Sequence, residues 1–423
     1  MSSVARENNL TEIVERKPWL PWMVTIAAAF FLLVGSLSLN MLTPIMSIML
    51  DDFQATTNFG SAMYFMDTFV SAILVIPIGL AINKWGYRKL GYLGYIVLLI
   101  AFAWGATAFS ANQTSILIIR SLQGVGYVVP PILSIAVVSQ WFPEKKRGIP
   151  LSIVASMTFI AKSLALQMSK ITIPLDSWHG QFAGCFVLTC IGFVLYIIFL
   201  KAVPGLNIVG KREKTERAPI TEVLKDFKIW LIIIIMVAYT LGQRGFSPFS
   251  NLIWVQNCGV SNNRASDIDS IFFLMAIPSG LFFGFILSHF LKKRGKITAI
   301  MLTVFFLGMP LAFLLSQTWQ AWLFVFIVGM MGGVPQFCQI CLPMFSRTPA
   351  VLSMALVAYD LIGKYITASI APFVVSSIQT ATGTWIYSAI PIAIAGVVAV
   401  IACWILGVRV DKESRIVKEN KNK

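Results

Sequence analysis

Long apolar runs follow one another along the whole chain and constrain its fold more than any other feature. A helix needs about 20 consecutive apolar residues to cross the hydrocarbon core of a bilayer, and several of these runs exceed that length, so tilts or kinks at prolines are expected. The sequence therefore predicts an all-α membrane protein with twelve transmembrane helices, at approximately residues 22–50, 60–82, 90–110, 114–140, 148–172, 179–201, 229–255, 267–290, 297–316, 319–345, 350–378 and 384–408.

Basic residues collect in the short polar stretches between these runs. The formal net charge is +15, a balance that is also typical of proteins that bind nucleic acid. In this chain the basic residues cluster after alternate spans, as with Lys145, Lys146 and Arg147 after the fourth, which is the pattern of the positive-inside rule. We therefore attribute the charge to membrane orientation and not to nucleic acid. A multi-pass protein of the cell (cytoplasmic) membrane is expected, surrounded by the lipid bilayer and with both termini cytoplasmic.

The longest polar connection divides the chain into two sets of six spans. Residues 79–89, which end the second span, and residues 284–296, which end the eighth, each combine a glycine, an apolar turn and a basic cluster. Internal repeats of this kind are typical of transporters that move two pseudo-symmetric halves around a central site. The predicted divisions are a cytoplasmic tail at 1–21, a six-helix bundle at 22–203, a cytoplasmic linker at 204–228, a second six-helix bundle at 229–408 and a cytoplasmic tail at 409–423.

The end of the second span resembles the cytoplasmic loop signature of the major facilitator superfamily, roughly G-x-x-x-D-[RK]-x-G-[RK]-[RK]. The resemblance implies that this loop helps to hold the two halves together on the cytoplasmic side. Asn83 stands at the acidic position of the signature. An asparagine carries no charge for an ionic contact between the halves, but it can still join them through hydrogen bonds. The residues that match the signature are Gly79, Lys84, Gly86, Arg88 and Lys89.

A motif in the fourth span is similar to the sequence R-x-x-Q-G-x-G of the same superfamily. It begins at Arg120, continues through Gln123 and Gly124 and ends at Gly126. Because members with quite different substrates share this arginine, the resemblance implies a structural or conformational role for Arg120. The number of spans and their division into two sets of six extend the resemblance over the whole chain. It implies a secondary transporter with the major facilitator fold that works as a monomer.

A weaker resemblance concerns the eleventh span. Residues 363–369, which include Lys364, resemble the lysine-bearing segment of the oxalate–formate antiporter and its monocarboxylate-transporter relatives, in which the lysine contacts a carboxylate substrate. Those relatives pair the lysine with an arginine in the eighth span, where this chain has Pro-Ser-Gly-Leu at residues 278–281. The resemblance implies a carboxylate substrate that is bound with a different geometry.

Three cationic side chains fall deep inside apolar runs: Lys162, Arg244 and Lys364. Each costs ~2.5–3.5 kcal/mol at that depth unless it faces a partner or water. The two lysines occupy the fifth spans of the two halves, so a pseudo-two-fold axis makes them symmetry mates across a central cavity. An arginine can bind a carboxylate bidentately and a lysine supplies a point charge, so we expect the three to bind a small mono- or dicarboxylate. The alternative for each is a structural ion pair or an extended lysine near the interface.

Acidic residues inside the spans provide partners for that alternative. Asp360 and Lys364 are spaced i,i+4 and can neutralise each other on one helix face. Asp67, in the second span, can pair with Lys364 or with Arg120, carry a coupling proton or form a gate. We therefore expect coupling or gating roles for Asp67, Asp360 and Arg120, and favour an ion pair over proton coupling for Asp67.

Polar side chains of the cavity-lining spans complete the predicted binding site, with hydrogen bonding between helices as their alternative role. These residues are Asn40, Gln123, Tyr127, Tyr239, Gln243, Gln336 and Gln339. No catalytic residue, metal ligand or cofactor is predicted, because the sequence contains no nucleophile–base pair, metal-ligand set or nucleotide-binding glycine loop.

The predicted function is secondary active transport of small organic anions by alternating access, through proton symport or exchange with a counter-anion. Two alternatives stay open. The first is a carrier of inorganic anions, or of neutral or zwitterionic solutes, in which the buried charges form ion pairs or gates. The second is a transporter-like membrane sensor, which the lack of a large soluble output domain disfavours. An enzyme is not expected.

Overall fold

The computed structural model describes residues 18–142, 148–200, 226–289, 294–345, 355–356 and 358–421. The α-helices and the single π-helix in these ranges lie within the predicted spans or at their edges. The α-helices of the first half are α1 (Leu20–Asn40), α2 (Met46–Asp52), α3 (Thr57–Gly105), α4 (Gln113–Trp141) and α5 (Gly148–Phe199). Those of the second half are α6 (Phe227–Phe246), α7 (Ser250–Cys258), α8 (Asn262–Leu274), α9 (Ala276–His289), α10 (Arg294–Gly308), α11 (Thr318–Met330), α12 (Val334–Phe345), α13 (Thr367–Thr382) and α14 (Ala389–Lys421).

Two of these helices contain a sharp break and supply two spans each. In α3 the break is at Gly86, with φ 76° and ψ 158°, a conformation that glycine adopts without a steric penalty. In α5 the break is at Asp176 and Ser177, and Ser177 has φ 47° and ψ −139°. With these breaks the described residues form twelve helical spans. The predicted architecture of twelve transmembrane helices in two six-helix halves is confirmed.

Several spans differ in detail from the continuous helices that the sequence predicts. The first is divided into α1 and α2, and the eighth into α8 and α9. The seventh is divided into α6 and α7, because Pro248 has no N–H to continue the helix and leaves the carbonyl of Arg244 without its usual donor. The tenth is divided into α11 and α12. The eleventh contains a π-helix at Tyr359–Ile366, a feature that is frequent at functional sites. The twelfth continues to Lys421, beyond its predicted end at residue 408.

The chain folds into two compact units. Among the described residues, the first unit comprises 18–54 and 66–200, and the second comprises 55–65 and 226–421. The opening turns of α3 therefore belong to the second unit, although most of that helix belongs to the first.

Short polar side chains join the opening turns of α3 to α13 within the second unit. Oγ1 of Thr57 donates to Oε1 of Gln379 at 2.7 Å, and Oγ of Ser61 donates to Oγ of Ser376 at 2.7 Å. Small residues that hydrogen-bond across a helix interface are typical of packing inside membranes, where the hydrophobic effect gives no driving force between helices.

A glycine crossing and a carboxylate cap fix α10 against α14 in the second unit. The backbones of Gly295 and Gly407 approach so closely that a Cβ atom on either would overlap the other's carbonyl oxygen. One turn later, the carboxylate of Asp411 accepts hydrogen bonds from the backbone N–H of Gly295 at 2.7 Å and of Lys296 at 3.2 Å. These N–H groups belong to the first turn of α10, where an anion is stabilised by the helix dipole.

The outer faces of both units carry many large hydrophobic side chains. Examples are Ile73 and Ile100 in the first unit and Leu281 and Ile394 in the second, all of them exposed. Soluble proteins rarely expose contiguous apolar patches of more than a few hundred Å². These faces therefore contact lipid.

Candidate functional site

A fully buried ion pair joins the second and fourth spans in the first unit. Nη2 of Arg120 lies 2.7 Å from Oδ2 of Asp67, and neither side chain is exposed. The guanidinium also donates to the backbone carbonyl of Ser38 at 2.8 Å and to Oε1 of Gln123. Of the partners that the sequence allows for Asp67, the structure shows Arg120. This one charge therefore holds together groups from the first, second and fourth spans.

Gly124 brings the fourth span close to the second at the ion pair. A Cβ atom at this position would overlap the carbonyl oxygen of Asp67. Ser71 reinforces the contact, since its hydroxyl lies 2.8 Å from the carbonyl of Asp67 and 2.9 Å from that of Gly124. Gly126 allows a similar approach to Leu98 of the third span. The motif R-x-x-Q-G-x-G thus has a physical explanation: the arginine supplies a buried charge, and the glycines supply the close packing that buries it.

We expect Gly124→Ala to lower the thermal stability of the purified protein, because the added methyl group forces α4 away from α3 beside the ion pair. Overpacking of this kind costs ~1–3 kcal/mol. Gly242→Ala is the matched control, since a Cβ atom there meets its nearest neighbour, Cγ2 of Ile392, at 3.6 Å, an ordinary contact. Melting curves in detergent check the prediction, and equal melting temperatures for the two variants would contradict it.

The other candidate residues of the first unit are buried or half-buried. Lys162 is 3% exposed and Asn40 is 5% exposed, and Tyr127 is half-buried. The amide of Asn40 donates to the carbonyl of Ser36 at 2.6 Å, and Gln123 accepts the arginine hydrogen bond described above. Each of these hydrogen bonds lies within a single helix, α1 for Asn40 and α4 for Gln123, so neither bond decides between substrate binding and hydrogen bonding between helices.

The second unit contains an ion pair of a different kind, on the π-helical turn. Nζ of Lys364 lies 2.6 Å from Oδ1 of Asp360, and the two side chains are 39% and 45% exposed. The same ammonium lies over the ring of Tyr359, 5.0 Å from its centroid. The i,i+4 pairing that the sequence suggests is present, and both of its side chains are partly exposed.

Arg244 is half-buried in the last turn of α6. Within the part of the chain that the structure describes, its guanidinium forms neither an ion pair nor a hydrogen bond. Its electrostatic neighbour is Tyr239, and the side chain of Gln243 also lies close to the hydroxyl of that tyrosine. The three candidate residues of the seventh span therefore lie together just before the kink at Pro248.

A sequence model of the Major Facilitator Superfamily matches residues 26–372. The chain belongs to this superfamily. Its structure is similar to that of a bacterial homolog of the human lysosomal transporter Spinster, solved in an inward-facing and occupied conformation, with a TM-score of 0.69 and 12% identity over 95% of this chain and 97% of that one. At this identity the likeness shows the fold alone.

Curated relatives of this major facilitator protein are distant. The hexuronate transporter of Bacillus subtilis (strain 168) is 23% identical over 225 residues, 52% of this chain and 53% of that protein. The lysosomal dipeptide transporter MFSD1 of Bos taurus is 24% identical over 206 residues, 45% of this chain and 43% of that protein. The chain thus spans about half the length of the curated relatives it matches. The family to which the chain belongs is one of membrane transporters.

The superfamily loop after the second span is described in part. Nε of Arg88 donates to the hydroxyl of Tyr92 at 2.9 Å, and the side chains of Arg88 and Lys89 are exposed. The glycine of the signature at Gly86 is explained by its positive φ. Other predicted positions fall outside the side chains that the structure describes: Gly79, Asn83, Lys84, Gln336 and Gln339.

Sequence reasoning missed a buried acid in this transporter. Asp269 is fully buried and accepts hydrogen bonds from Ser250 and Trp254. The eighth span was predicted to begin at residue 267, which placed Asp269 at the membrane surface. Ser261 was the signal that could have revealed this acid, because serine is a preferred N-cap residue. In the structure Ser261 accepts a hydrogen bond from the N–H of Arg264 and caps α8. The helix therefore begins several residues before the predicted start of the span.

The structure gives no indication of a metal site within the described ranges. No group of three or more histidine, cysteine, aspartate or glutamate side chains among these residues is arranged to hold an ion. Cys338 and Cys341, the C-x-x-C pair of α12, are both buried as free thiols.

Proposed function

We propose that this transporter carries small organic anions, mono- or dicarboxylates, by alternating access, through proton symport or exchange with a counter-anion. The observation that carries the proposal is the guanidinium of Arg244, half-buried in a membrane span with no anionic partner among the described residues. An isolated cation at membrane depth is unfavourable by ~2.5–3.5 kcal/mol, and an anion that binds it removes that cost. A carboxylate fits best, because it accepts two parallel N–H···O bonds from one arginine.

The two ion pairs differ in how readily a substrate can open them. The pair of Arg120 with Asp67 is fully buried, and removing one partner from such a pair costs ~3–5 kcal/mol, so Arg120 is a poor substrate ligand. The side chains of Lys364 and Asp360 are 39% and 45% exposed. A substrate carboxylate can therefore approach Lys364 more readily than it can approach Arg120.

The charges of the three candidate ionisable residues in the second unit favour an anionic ligand. Arg244 and Lys364 contribute two positive charges and Asp360 contributes one negative charge, so a bound monocarboxylate brings the sum to zero. Tyr239 and Gln243 add neutral hydrogen-bonding groups beside Arg244. Lys162, buried in the fifth span of the first unit, is retained in the proposal as a further candidate ligand.

One distant relative fits the proposed substrate class. The hexuronate transporter of Bacillus subtilis (strain 168) is named for sugar acids, each of which carries a carboxylate. The similarity extends over about half of each protein, so it supports the class of substrate and not a particular compound.

Uptake of radiolabelled carboxylates into proteoliposomes tests the proposal. We expect saturable uptake by the wild type and a KM raised about 10-fold or more in Lys364→Ala, since a hydrogen bond to a charged group contributes ~1.5–3 kcal/mol. Lys412→Ala, an exposed position on α14, is the matched control and should behave as the wild type. Equal KM values for wild type and Lys364→Ala would remove the lysine from the mechanism.

A second candidate function is transport of zwitterionic or neutral solutes or of inorganic anions. The exposed Asp360–Lys364 pair presents both signs of charge, as a zwitterion requires, and the bovine relative MFSD1 is named a lysosomal dipeptide transporter. A thermal-shift screen separates the candidates, because a ligand that binds the folded state raises the melting temperature. Stabilisation by dipeptides or sugars and not by carboxylates would replace the first proposal with this one.

We also infer that the protein lies in the cytoplasmic membrane with both termini in the cytoplasm. The support is the distribution of lysine and arginine between alternate loops. Labelling of single cysteines introduced near each terminus by a membrane-impermeant reagent in intact cells tests the orientation. Labelling at either terminus without permeabilisation would contradict it.

A further inference from the structure

A buried carboxylate that the proposed binding site does not use lies beside the kink of the seventh span. Asp269 of α8 is 0% exposed. Its Oδ2 accepts a hydrogen bond from Oγ of Ser250 at 2.7 Å, and its Oδ1 accepts one from Nε1 of Trp254 at 2.7 Å. It lies seven residues after Asn262, the start of the helix, or ~10 Å along the helix axis. The carboxylate is therefore inside the span Asn262–Phe283.

The surroundings of Asp269 supply no counter-charge. Its helix packs against α7, α9 and α11. The titratable group of α7 is Cys258, α9 carries His289 at its far end, and α11 contains no titratable residue. On α8 itself the charged groups are Arg264, which is exposed, and Asp267, which is half-buried. Among the described residues no cation forms an ion pair with Asp269, and its two hydrogen-bond donors, Ser250 and Trp254, are neutral.

Ser250 can satisfy Asp269 in either protonation state. When the carboxylate is ionised, the hydroxyl of Ser250 donates to it. The same Oγ lies 3.2 Å from the backbone carbonyl of Ser247. When Oδ2 carries a proton, the carboxyl group donates to Oγ of Ser250, and the serine hydrogen turns to the carbonyl of Ser247. The carboxyl group of Asp269 and the hydroxyl of Ser250 keep a partner in both states, whereas the carbonyl of Ser247 accepts from Ser250 only when Oδ2 is protonated.

This relay ends at the helix terminus that carries the proposed substrate ligand. Ser247 and Ser250 lie on either side of Pro248, and the N–H of Ser247 donates to the carbonyl of Gln243 at 2.8 Å. Arg244 lies in the same last turn of α6. A change of hydrogen bonding at the carbonyl of Ser247 therefore acts on the kink next to Arg244.

We propose that Asp269 is a proton-binding site through which the transporter couples solute movement to the proton gradient. One proton binds Oδ2 of Asp269 on one side of the membrane and leaves it on the other, and the Ser250–Ser247 relay transmits its presence to the kink beside Arg244. The coupling of protons to solute movement rests on the proposed function, because it needs a transported solute. Proton binding by Asp269 is independent of the proposed function.

A measurement without substrate tests proton binding alone. Infrared difference spectra of the purified protein, recorded over a pH series, should contain the C=O band of a protonated carboxyl group that is lost in Asp269→Asn. Asp267→Asn, two residues away on the same helix, is the matched control and should keep the band. Identical spectra for wild type and Asp269→Asn would overturn the proposal even if no substrate had been found.

Transport in proteoliposomes tests the coupling. With substrate at equal concentration on both sides, Asp269→Asn should exchange labelled substrate at a rate within about threefold of the wild type. With an imposed pH gradient, the wild type should accumulate substrate and Asp269→Asn should not. Gradient-driven accumulation by Asp269→Asn would overturn the coupling role, whereas failure of every carboxylate with the wild type would count against the proposed function and leave the infrared result standing.

Trp254→Phe tests proton binding by Asp269 if the variant Asp269→Asn does not fold. This variant keeps the acid but removes a donor to its charged form, so the protonated band should persist to higher pH, by about one pH unit, than in the wild type. An unchanged pH dependence of the band in Trp254→Phe would contradict the assignment to Asp269.

Discussion

Arg120→Leu is expected to lower the free energy of unfolding by ~3–5 kcal/mol, because it leaves a buried charge without its partner. Asp67 is 0% exposed and takes its charge partner from Arg120 at 2.7 Å. The same substitution removes the donors to the carbonyl of Ser38 and to Gln123. Melting curves of the purified protein in detergent measure the effect.

The double variant Asp67→Asn/Arg120→Gln separates loss of charge from loss of packing. An amide pair keeps hydrogen-bonding groups at both positions without a buried charge, and uncharged replacements of buried ion pairs are often close to neutral in stability. We expect it to recover most of the loss. Arg264→Leu, at an exposed position of α8, is the control for removal of an arginine. A melting temperature for Arg120→Leu equal to that of the control would show that the pair contributes nothing.

The fold of the protein was predictable from the sequence because its signals are local and strong. Each span is a long apolar run, and a run of that length can satisfy its backbone in a bilayer only as a helix. The same holds for the i,i+4 pair of Asp360 with Lys364, whose spacing lies within one helix. Gly86 is a third local signal, because the positive φ of 76° at this position explains why the loop signature contains a glycine there.

The partners of the buried charges were not predictable in the same way. Asp67 and Arg120 are 53 residues apart in the sequence, and their pairing depends on how closely α3 and α4 approach at Gly124. Asp269 was missed because its depth depends on where α8 begins, and hydropathy places helix ends only to within a few residues. The kink at Pro248, in contrast, was suggested by the proline itself.

Arg244→Gln is expected to weaken binding of a carboxylate substrate about 10- to 150-fold. The guanidinium makes no ion pair or hydrogen bond within the described residues, so its removal leaves no buried anion unpaired and the effect should fall on the ligand. A charge-assisted hydrogen bond contributes ~1.5–3 kcal/mol, and each 1.4 kcal/mol corresponds to a tenfold change in Kd. Isothermal titration of the purified protein with the substrate measures this change.

Arg244→Lys distinguishes charge from geometry at the same position. Lysine keeps the positive charge but lacks the planar fork that binds both oxygens of a carboxylate, so we expect a Kd between those of the wild type and Arg244→Gln. Arg264→Gln, the same substitution at an exposed arginine of the second unit, is the matched control and should bind as the wild type. The melting temperature of Arg244→Gln should stay at or above that of the wild type, because the substitution removes an unpaired cation from a membrane span. A variant that loses stability and keeps its affinity would show instead that Arg244 serves the fold, and the anion proposal would then depend on Lys364 and Lys162 alone.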